Sequence, residues 1–139
     1  MWTLQPTDEY QRRHKRYEKK HRRELQAVSD NLDTFLQSLN EGAKPHPLRF
    51  GFLHAEPHGV VAIDQKGGGA NLAQTRLYVF PDEHQEVLHV LTLGDKRTQS
   101  EDIKYCSSFV LALRAQTQEQ KKDETGDQED IQHREPDGA

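Results

Sequence analysis

The chain has 139 residues, 32% of them hydrophobic, and carries a formal net charge of −4. This length fits one domain, and a mean hydropathy of −1.01 allows it only a small core. No apolar run approaches the ~20 residues of a membrane-spanning helix, the single cysteine, Cys106, excludes an intramolecular disulfide, and the first residues lack the order of a signal peptide, so we expect a soluble cytoplasmic protein.

The uneven distribution of charge predicts a domain boundary. Residues 116–139 contain three basic and eight acidic side chains, one aliphatic residue larger than alanine (Ile131) and no aromatic residue. A segment of that composition cannot bury enough apolar surface to offset its chain entropy. We therefore predict one folded domain over residues 1–115 and an acidic, disordered tail over residues 116–139.

The N-terminal third predicts a short strand and two helices. Apolar and polar residues alternate over residues 2–5, and Pro6 follows, which is typical of a short strand. Thr7 or Asp8 can cap the helix that comes next. Apolar and aromatic residues then recur at the three- or four-residue steps of one helical face: Tyr10, His14, Tyr17, His21, Leu25, Val28, Leu32, Phe35 and Leu39. About thirty residues is long for one globular helix, so we predict a helical hairpin that breaks between residues 19 and 24.

The middle of the chain predicts four strands. Over residues 49–56, one face of an extended strand would carry Phe50, Phe52, His54 and Glu56, and the other Arg49, Gly51, Leu53 and Ala55. A proline–glycine turn follows, and residues 60–63 then form a second strand that runs back along the first, which indicates a β-hairpin. A glycine-rich loop over residues 64–74 separates this hairpin from two longer strands over residues 75–81 and 87–94. A five-residue polar turn joins the two longer strands, so they also pair antiparallel.

A final helix follows the last strand. Thr98 and Glu101 form a capping-box pattern, in which Thr98 caps the helix and Glu101 reaches back. The helix then buries one apolar stripe, formed by Ile103, Cys106, Phe109, Val110 and Leu113. The element order predicts an α+β domain in which an N-terminal strand and a helical hairpin pack on a mostly antiparallel sheet, with a C-terminal helix. We expect the helices on one face of the sheet and the other face open.

The first predicted helix is strongly basic. Twelve consecutive residues include eight Lys or Arg and one Glu, namely Arg12, Arg13, Lys15, Arg16, Lys19, Lys20, Arg22 and Arg23 with Glu18. A solvated helix face is the simplest explanation of surface charge. Cations three or four residues apart repel one another, however, so this density exceeds what solubility requires. We expect these residues to bind nucleic-acid phosphates.

The strand predicted over residues 75–81 places an arginine beside aromatic residues. If Leu77 and Val79 face the helices, Arg76 and Tyr78 share the open face of the sheet. A strand arginine that pairs with a neighbouring acid is the structural alternative. An arginine beside aromatic side chains also suits a clamp for a phosphate and a stacked base.

Further charged residues are expected to converge on this face. His89 in the last strand is the acid–base candidate, although a histidine between apolar residues is more often a core residue. Lys96 and Arg97 follow that strand and precede a helix start, where cations oppose the helix dipole. The eight histidines lack a cysteine partner or a His-Glu-x-x-His helix, so we expect no metal and no cofactor.

The pattern resembles the RelE/ParE toxin superfamily of bacterial type II toxin–antitoxin systems. The likeness covers residues 2–113 and rests on the element order, on Arg-Leu-Tyr at residues 76–78 and on Gly-Asp-Lys-Arg at residues 94–97. RelE-type members have a strand arginine and a glycine followed by a Lys-Arg pair at these places. The resemblance implies a RelE-like toxin that cleaves mRNA at the ribosome and is held inactive by a cognate antitoxin.

The resemblance also implies roles for individual residues. In such enzymes the RNA 2′-hydroxyl attacks the adjacent phosphorus, while a base, an acid and cations assist. The catalytic set would be Arg76, His89, Lys96 and Glu56, with Glu56 as a reserve base. The RNA-binding set would be Arg97, Lys66, Tyr78 and the cations of the basic helix.

Two other functions remain open at this point. A ParE-like relative would inhibit DNA gyrase without RNA chemistry, and a catalytically silent domain would only bind RNA. A nuclease and a gyrase inhibitor both stop bacterial growth, whereas a silent binder does not.

Overall fold

The computed structural model describes residues 1–66 and 71–124, with side chains up to residue 119. These residues form three α-helices, α1 (Asp8–Lys20), α2 (Arg22–Asn40) and α3 (Gln99–Glu124), and five strands, β1 (Thr3–Pro6), β2 (Leu53–Ala55), β3 (Val61–Asp64), β4 (Thr75–Asp82) and β5 (Val87–Asp95). A 3₁₀ turn, Pro57–Gly59, joins β2 to β3. The predicted α+β layout is confirmed. No helix within the described ranges is long and apolar enough to cross a membrane.

The five strands form one sheet in the order β1-β5-β4-β3-β2. β1 pairs in parallel with β5, and the other neighbours pair antiparallel. The register places Arg76 of β4 between Asp64 of β3 and Gly94 of β5. Because successive side chains of a strand point to opposite faces, Ile63 and Leu77 pack toward the helical hairpin, whereas the residues beside them point to the other face.

The helical hairpin breaks at His21, within the predicted interval. His21 leaves helical geometry at φ −139° and ψ 52°, and α2 begins at the next residue. The main-chain N–H of Trp2 donates to the side-chain oxygen of Asn40 at 2.7 Å, so the end of α2 returns to the start of the chain. The hairpin and the sheet thereby enclose the larger core, to which Val28 and Phe35 contribute fully buried side chains.

The prediction that the second face of the sheet is open is wrong, because α3 packs across it. Cys106 and Val110 of α3 form a second buried cluster with Ala62, Tyr78 and Leu91 of the sheet. Tyr78 is only 1% exposed, so its predicted contact with RNA is also wrong. The hairpin already fills the first face, and the apolar stripe of α3 therefore buries itself on the second.

α3 continues beyond the predicted domain boundary at residue 115 as far as Glu124, the last residue that the structure describes. Residues 116–124 are therefore helical rather than disordered. Side chains in the last turns that the structure describes, such as those of Arg114 to Glu119, are exposed. The rest of the predicted tail, residues 125–139, lies outside the described residues.

A buried polar junction fixes α3 to both α1 and β5. The carboxylate of Asp102 on α3 is 2% exposed and accepts a hydrogen bond from the Thr98 hydroxyl at 2.7 Å. Arg13 on α1 lies 3.4 Å from the same carboxylate and donates to the main-chain oxygen of Leu93 on β5 at 2.8 Å. Burial raises the pKa of Asp102, and Thr98 and Arg13 offset part of that rise.

The turn before α3 is held differently from the predicted capping box. One carboxylate oxygen of Asp95 accepts the main-chain N–H groups of Arg97 and Thr98, at 2.9 and 3.2 Å. The Thr98 hydroxyl donates to Asp102 instead of capping the helix, and Glu101 remains exposed. The capping-box prediction is therefore wrong, because the Thr98 hydroxyl accepts the N–H of Asp95 at 3.1 Å and donates to the buried Asp102.

Gly94 leaves the space that this junction occupies. A Cβ atom at this position would overlap the Asp102 carboxylate and the Thr98 hydroxyl.

We expect Gly94→Ala to lower the free energy of unfolding by about 1–3 kcal/mol, the usual cost of overpacking a filled site. Thermal or urea denaturation measures this. Gly51→Ala is the matched control, since only the end of the Lys66 side chain lies near its Cβ position. Equal stability of the two variants would contradict the proposed packing.

Candidate functional site

A histidine and a carboxylate pair on the sheet face beside α3. His54 on β2 and Asp64 at the end of β3 point to the same face, and Nε2 of His54 lies 2.7 Å from a carboxylate oxygen of Asp64. His54 is 37% exposed at its side chain, and that of Asp64 is 17% exposed. The other ring nitrogen, Nδ1, has no hydrogen-bond partner among the described residues. A carboxylate that orients an imidazole leaves the opposite nitrogen available for proton transfer.

The end of β3 is held from several directions. The side-chain amide of Asn31 on α2 donates to the main-chain oxygens of Asp64 and Lys66, at 2.9 and 3.1 Å. The second carboxylate oxygen of Asp64 accepts the N–H of Lys66 at 2.8 Å, and the N–H of Asp64 donates to the Phe52 carbonyl. These bonds hold the main chain at the end of β3, and the bond from Lys66 orients the carboxylate, as a positioned acid–base group requires.

Arg76 and Glu56 form a second pair on the same face. Their side chains approach to 3.5 Å and are 22% and 12% exposed, respectively. Burial raises the pKa of Glu56, and the charges of Arg76 and His54 offset part of that rise. The structural alternative for Arg76, an ion pair with a neighbouring acid, therefore applies. We call His54, Asp64, Arg76 and Glu56 the sheet-edge cluster.

Arg76 retains capacity for an additional ligand. Its Nε atom is buried and, among the described residues, lacks a hydrogen-bond partner. A buried N–H without an acceptor is costly, and a guanidinium binds two oxygens of one phosphate or carboxylate well. The sheet-edge cluster therefore combines an oriented imidazole, a carboxyl group with a raised pKa and an arginine donor suited to an anion.

His89 does not join this cluster. It is 8% exposed beneath α3, and its ring lies 6.1 Å from that of Phe80 and 5.5 Å from that of Phe109, measured between centroids. Burial lowers its pKa, and the charge of Asp82 opposes this weakly. The predicted convergence of His89 with Arg76 is wrong, because α3 covers the part of β5 that carries His89.

The remaining predicted cations lie at the margins. Lys66 and Lys96 are exposed, and neither takes part in an ion pair within the described part of the chain. Arg97 is almost fully exposed and lies 3.3 Å from Asp95. The structure thus brings two of the four predicted catalytic residues, Arg76 and Glu56, into one cluster.

The basic helix divides into inward and outward cations. Arg12 pairs with Glu9, and Arg13 is committed to the junction with Asp102, which leaves it little capacity to bind RNA directly. The other six predicted RNA-binding cations of this region are exposed, namely Lys15, Arg16, Lys19, Lys20, Arg22 and Arg23. A basic surface therefore remains available on the hairpin.

The sequence reasoning missed His54 and Asp64 as functional residues. The alternation of residues 49–56 is consistent with His54 and Glu56 on one face, but histidines other than His89 were weighed only as metal ligands. Asp64 was assigned to the glycine-rich loop, and its pairing with His54 depends on the register between β2 and β3. Within the described residues, no group of three or more His, Cys, Asp or Glu is placed to hold a metal ion.

In comparisons with known proteins, no family model, no curated protein and no solved structure matches this chain. The likeness to the RelE/ParE superfamily therefore remains a resemblance, carried by the motifs and by the element order.

The environment of His89 predicts a pH-dependent contribution to stability. Because its pKa is lower in the folded chain, the unfolded chain binds more protons as the pH falls below about 6.5. Protonation therefore destabilises the folded protein. His89→Leu should reduce this loss, so the variant should gain stability relative to the wild type between pH 7 and pH 5. Chemical denaturation at a series of pH values measures the free energy of unfolding of each protein. His84→Leu, which replaces an exposed histidine in a turn, is the control. Parallel curves for wild type and His89→Leu would contradict the argument.

Proposed function

We propose that the protein is a toxin of a toxin–antitoxin pair, a cytoplasmic endoribonuclease that cleaves mRNA at the ribosome. The observation that carries this proposal is the sheet-edge cluster, in which the oriented imidazole of His54 shares one face of the sheet with Arg76 and its unsatisfied Nε–H. The sequence resemblance to RelE-type toxins supports the reaction class. The exposed cations of the hairpin supply the affinity for RNA phosphates.

The cluster can support cleavage by the RNA itself. His54 takes the proton of the 2′-hydroxyl through Nδ1, and Asp64 stabilises the imidazolium that forms. The 2′-oxygen then bonds to the adjacent phosphorus, and the bond from phosphorus to the 5′-oxygen breaks. Arg76 stabilises the added negative charge on the phosphoryl oxygens.

The leaving 5′-oxygen needs a proton, and Glu56 is the group suited to donate it. Its raised pKa increases the protonated fraction over that of an exposed glutamate. The products are a 2′,3′-cyclic phosphate and a 5′-hydroxyl. Every proton transfer in this sequence uses a residue of the cluster, and the scheme requires no cofactor.

The proposed partners follow from the same surface. The ribosome and its mRNA would meet the basic hairpin and the sheet-edge cluster. The cognate antitoxin would cover the cluster and neutralise its cations, as the family resemblance implies.

The ion pair between Arg76 and Glu56 favours a second candidate function. An arginine already neutralised by a carboxylate is less available to a phosphate than a free one. A ParE-like inhibitor of DNA gyrase would need no acid–base groups, and neither would a silent RNA-binding regulator. Both are distinguished from the nuclease by the fate of mRNA.

Induced expression in a bacterium, with growth curves and mapping of mRNA 5′ ends, tests the proposal. We expect growth arrest and new 5′ ends inside codons. His54→Ala should reduce cleavage by at least about 100-fold, the usual loss on removing a general base. His84→Ala, which removes an exposed turn histidine, should retain it.

Each alternative outcome has a distinct meaning. Growth arrest with intact mRNA would favour the gyrase inhibitor, and unchanged growth would favour the silent binder. Cleavage that survives His54→Ala would contradict the mechanism.

A further inference from the structure

A cleft lies where α1 ends against the turn between β5 and α3. It encloses about 150 Å³, and its lining includes Arg13, Arg16, Lys20, Asp95 and Arg97. It is distinct from the sheet-edge cluster, none of whose residues line it. We call it the hairpin cleft.

The charge of the hairpin cleft is positive after internal pairing. Arg13 is matched by Asp102, and Arg97 by Asp95. Arg16 and Lys20 are exposed, and no carboxylate in the described residues pairs with either. Two cations one helical turn apart repel each other, so a bound anion would relieve an existing cost.

The helix dipole does not account for these cations. Basic residues in a last helical turn usually stabilise the exposed carbonyl groups of that helix. Here, however, α2 begins directly after His21. The positive end of α2 therefore lies beside the negative end of α1 and offsets it, which leaves Arg16 and Lys20 with little to neutralise.

Tyr17 adds a neutral donor to the same cleft. Its side chain lines the cleft and is otherwise buried, and no acceptor among the described residues takes its hydroxyl. Burial and, less strongly, the charge of Asp95 raise its pKa to about 12, so the hydroxyl keeps its proton in neutral solution. A protonated hydroxyl that lines the same cleft as these two cations can donate to an oxygen of a phosphate group.

The position of the cleft links it to the sheet-edge cluster. Gly94 lines the cleft and is the direct β5 partner of Arg76 on β4, and adjacent strands lie only about 4.8 Å apart. The turn with Lys96 and Arg97 follows β5 directly, at the end of the sheet where Thr75 and Asp95 pair. A polyanion that reaches Arg76 at this end therefore has a cationic path toward the cleft.

We propose that the hairpin cleft binds a backbone phosphate of a single-stranded RNA, through Arg16, Lys20 and the Tyr17 hydroxyl. This deepens the RNA-binding part of the proposed function by naming one phosphate subsite outside the reacting centre. The cleft would fix where the RNA strand lies, whereas the sheet-edge cluster would act on the bond to be cut.

The test measures binding to a short single-stranded RNA with 2′-O-methyl ribose at every position, by fluorescence anisotropy at several salt concentrations. We expect the double variant Arg16→Gln with Lys20→Gln to lose about ten-fold or more in affinity. The slope of log affinity against log salt should fall by about 0.7, the value for one phosphate contact on a single strand.

A matched control separates a defined site from a general positive field. Lys44→Gln with Arg49→Gln removes the same charge from exposed residues that follow the far end of α2, a helix about 28 Å long. This control should lose less than about two-fold. Equal losses in both double variants would overturn the proposal, and so would unchanged affinity in the cleft variant. Both variants remove exposed side chains, and circular dichroism confirms that they are folded.

The experiment also separates this inference from the proposed nuclease. The 2′-O-methyl RNA has no hydroxyl to attack, so binding is measured without cleavage. Cleft-dependent binding by a protein that cuts no mRNA would support the subsite and contradict only the nuclease. Binding to vesicles of anionic lipid with no binding to the RNA would assign the cleft to another polyanion and overturn the proposal.

Discussion

The buried carboxylate of Asp102 is the constraint on which the arrangement of the helices depends. A carboxylate with 2% exposure is tolerated only if hydrogen bonds and an opposite charge compensate its lost hydration. Arg13 and Thr98 supply both, and Gly94 leaves room for them. Since Arg13 belongs to α1, Asp102 to α3 and Gly94 to β5, this junction holds three elements together. Removing one partner of such a pair costs about 3–5 kcal/mol when the other stays buried.

The position of α3 decides which part of the sheet can meet a ligand. α3 starts over the end of β5 and reaches the 3₁₀ turn, where Arg114 donates to the His58 carbonyl at 3.1 Å. It therefore covers Tyr78 and His89, while β2 and the end of β3 stay at its side. The sheet-edge cluster is consequently half-buried. It is buried enough to raise the pKa of Glu56, and open enough to leave the side chain of His54 37% exposed.

Periodicity predicted the elements of this fold, but not which surfaces they cover. The three- and four-residue steps located the hairpin, and the break between its helices was predicted because the pattern was too long for one helix. The stripe of α3 predicted one buried face, yet periodicity does not say which side of a sheet receives it, so Tyr78 and His89 were assigned to an open surface. Strand alternation fixed the face of Arg76, whereas Glu56 was expected only because the resemblance to RelE-type toxins implies a reserve base. The contact of His54 with Asp64 depends on strand register, which a single sequence does not contain.

The chemistry at the sheet-edge cluster is tested most directly by the ends of the RNA products. Purified protein would be incubated with ribosomes that carry an mRNA, and the fragments would be analysed by mass spectrometry. Attack by the 2′-hydroxyl predicts a 2′,3′-cyclic phosphate on one fragment and a 5′-hydroxyl on the other, with neither formed by Arg76→Ala nor from RNA with 2′-deoxyribose at the cut position. Fragments with a 5′-phosphate, or cleavage that persists at the 2′-deoxyribose, would contradict the account.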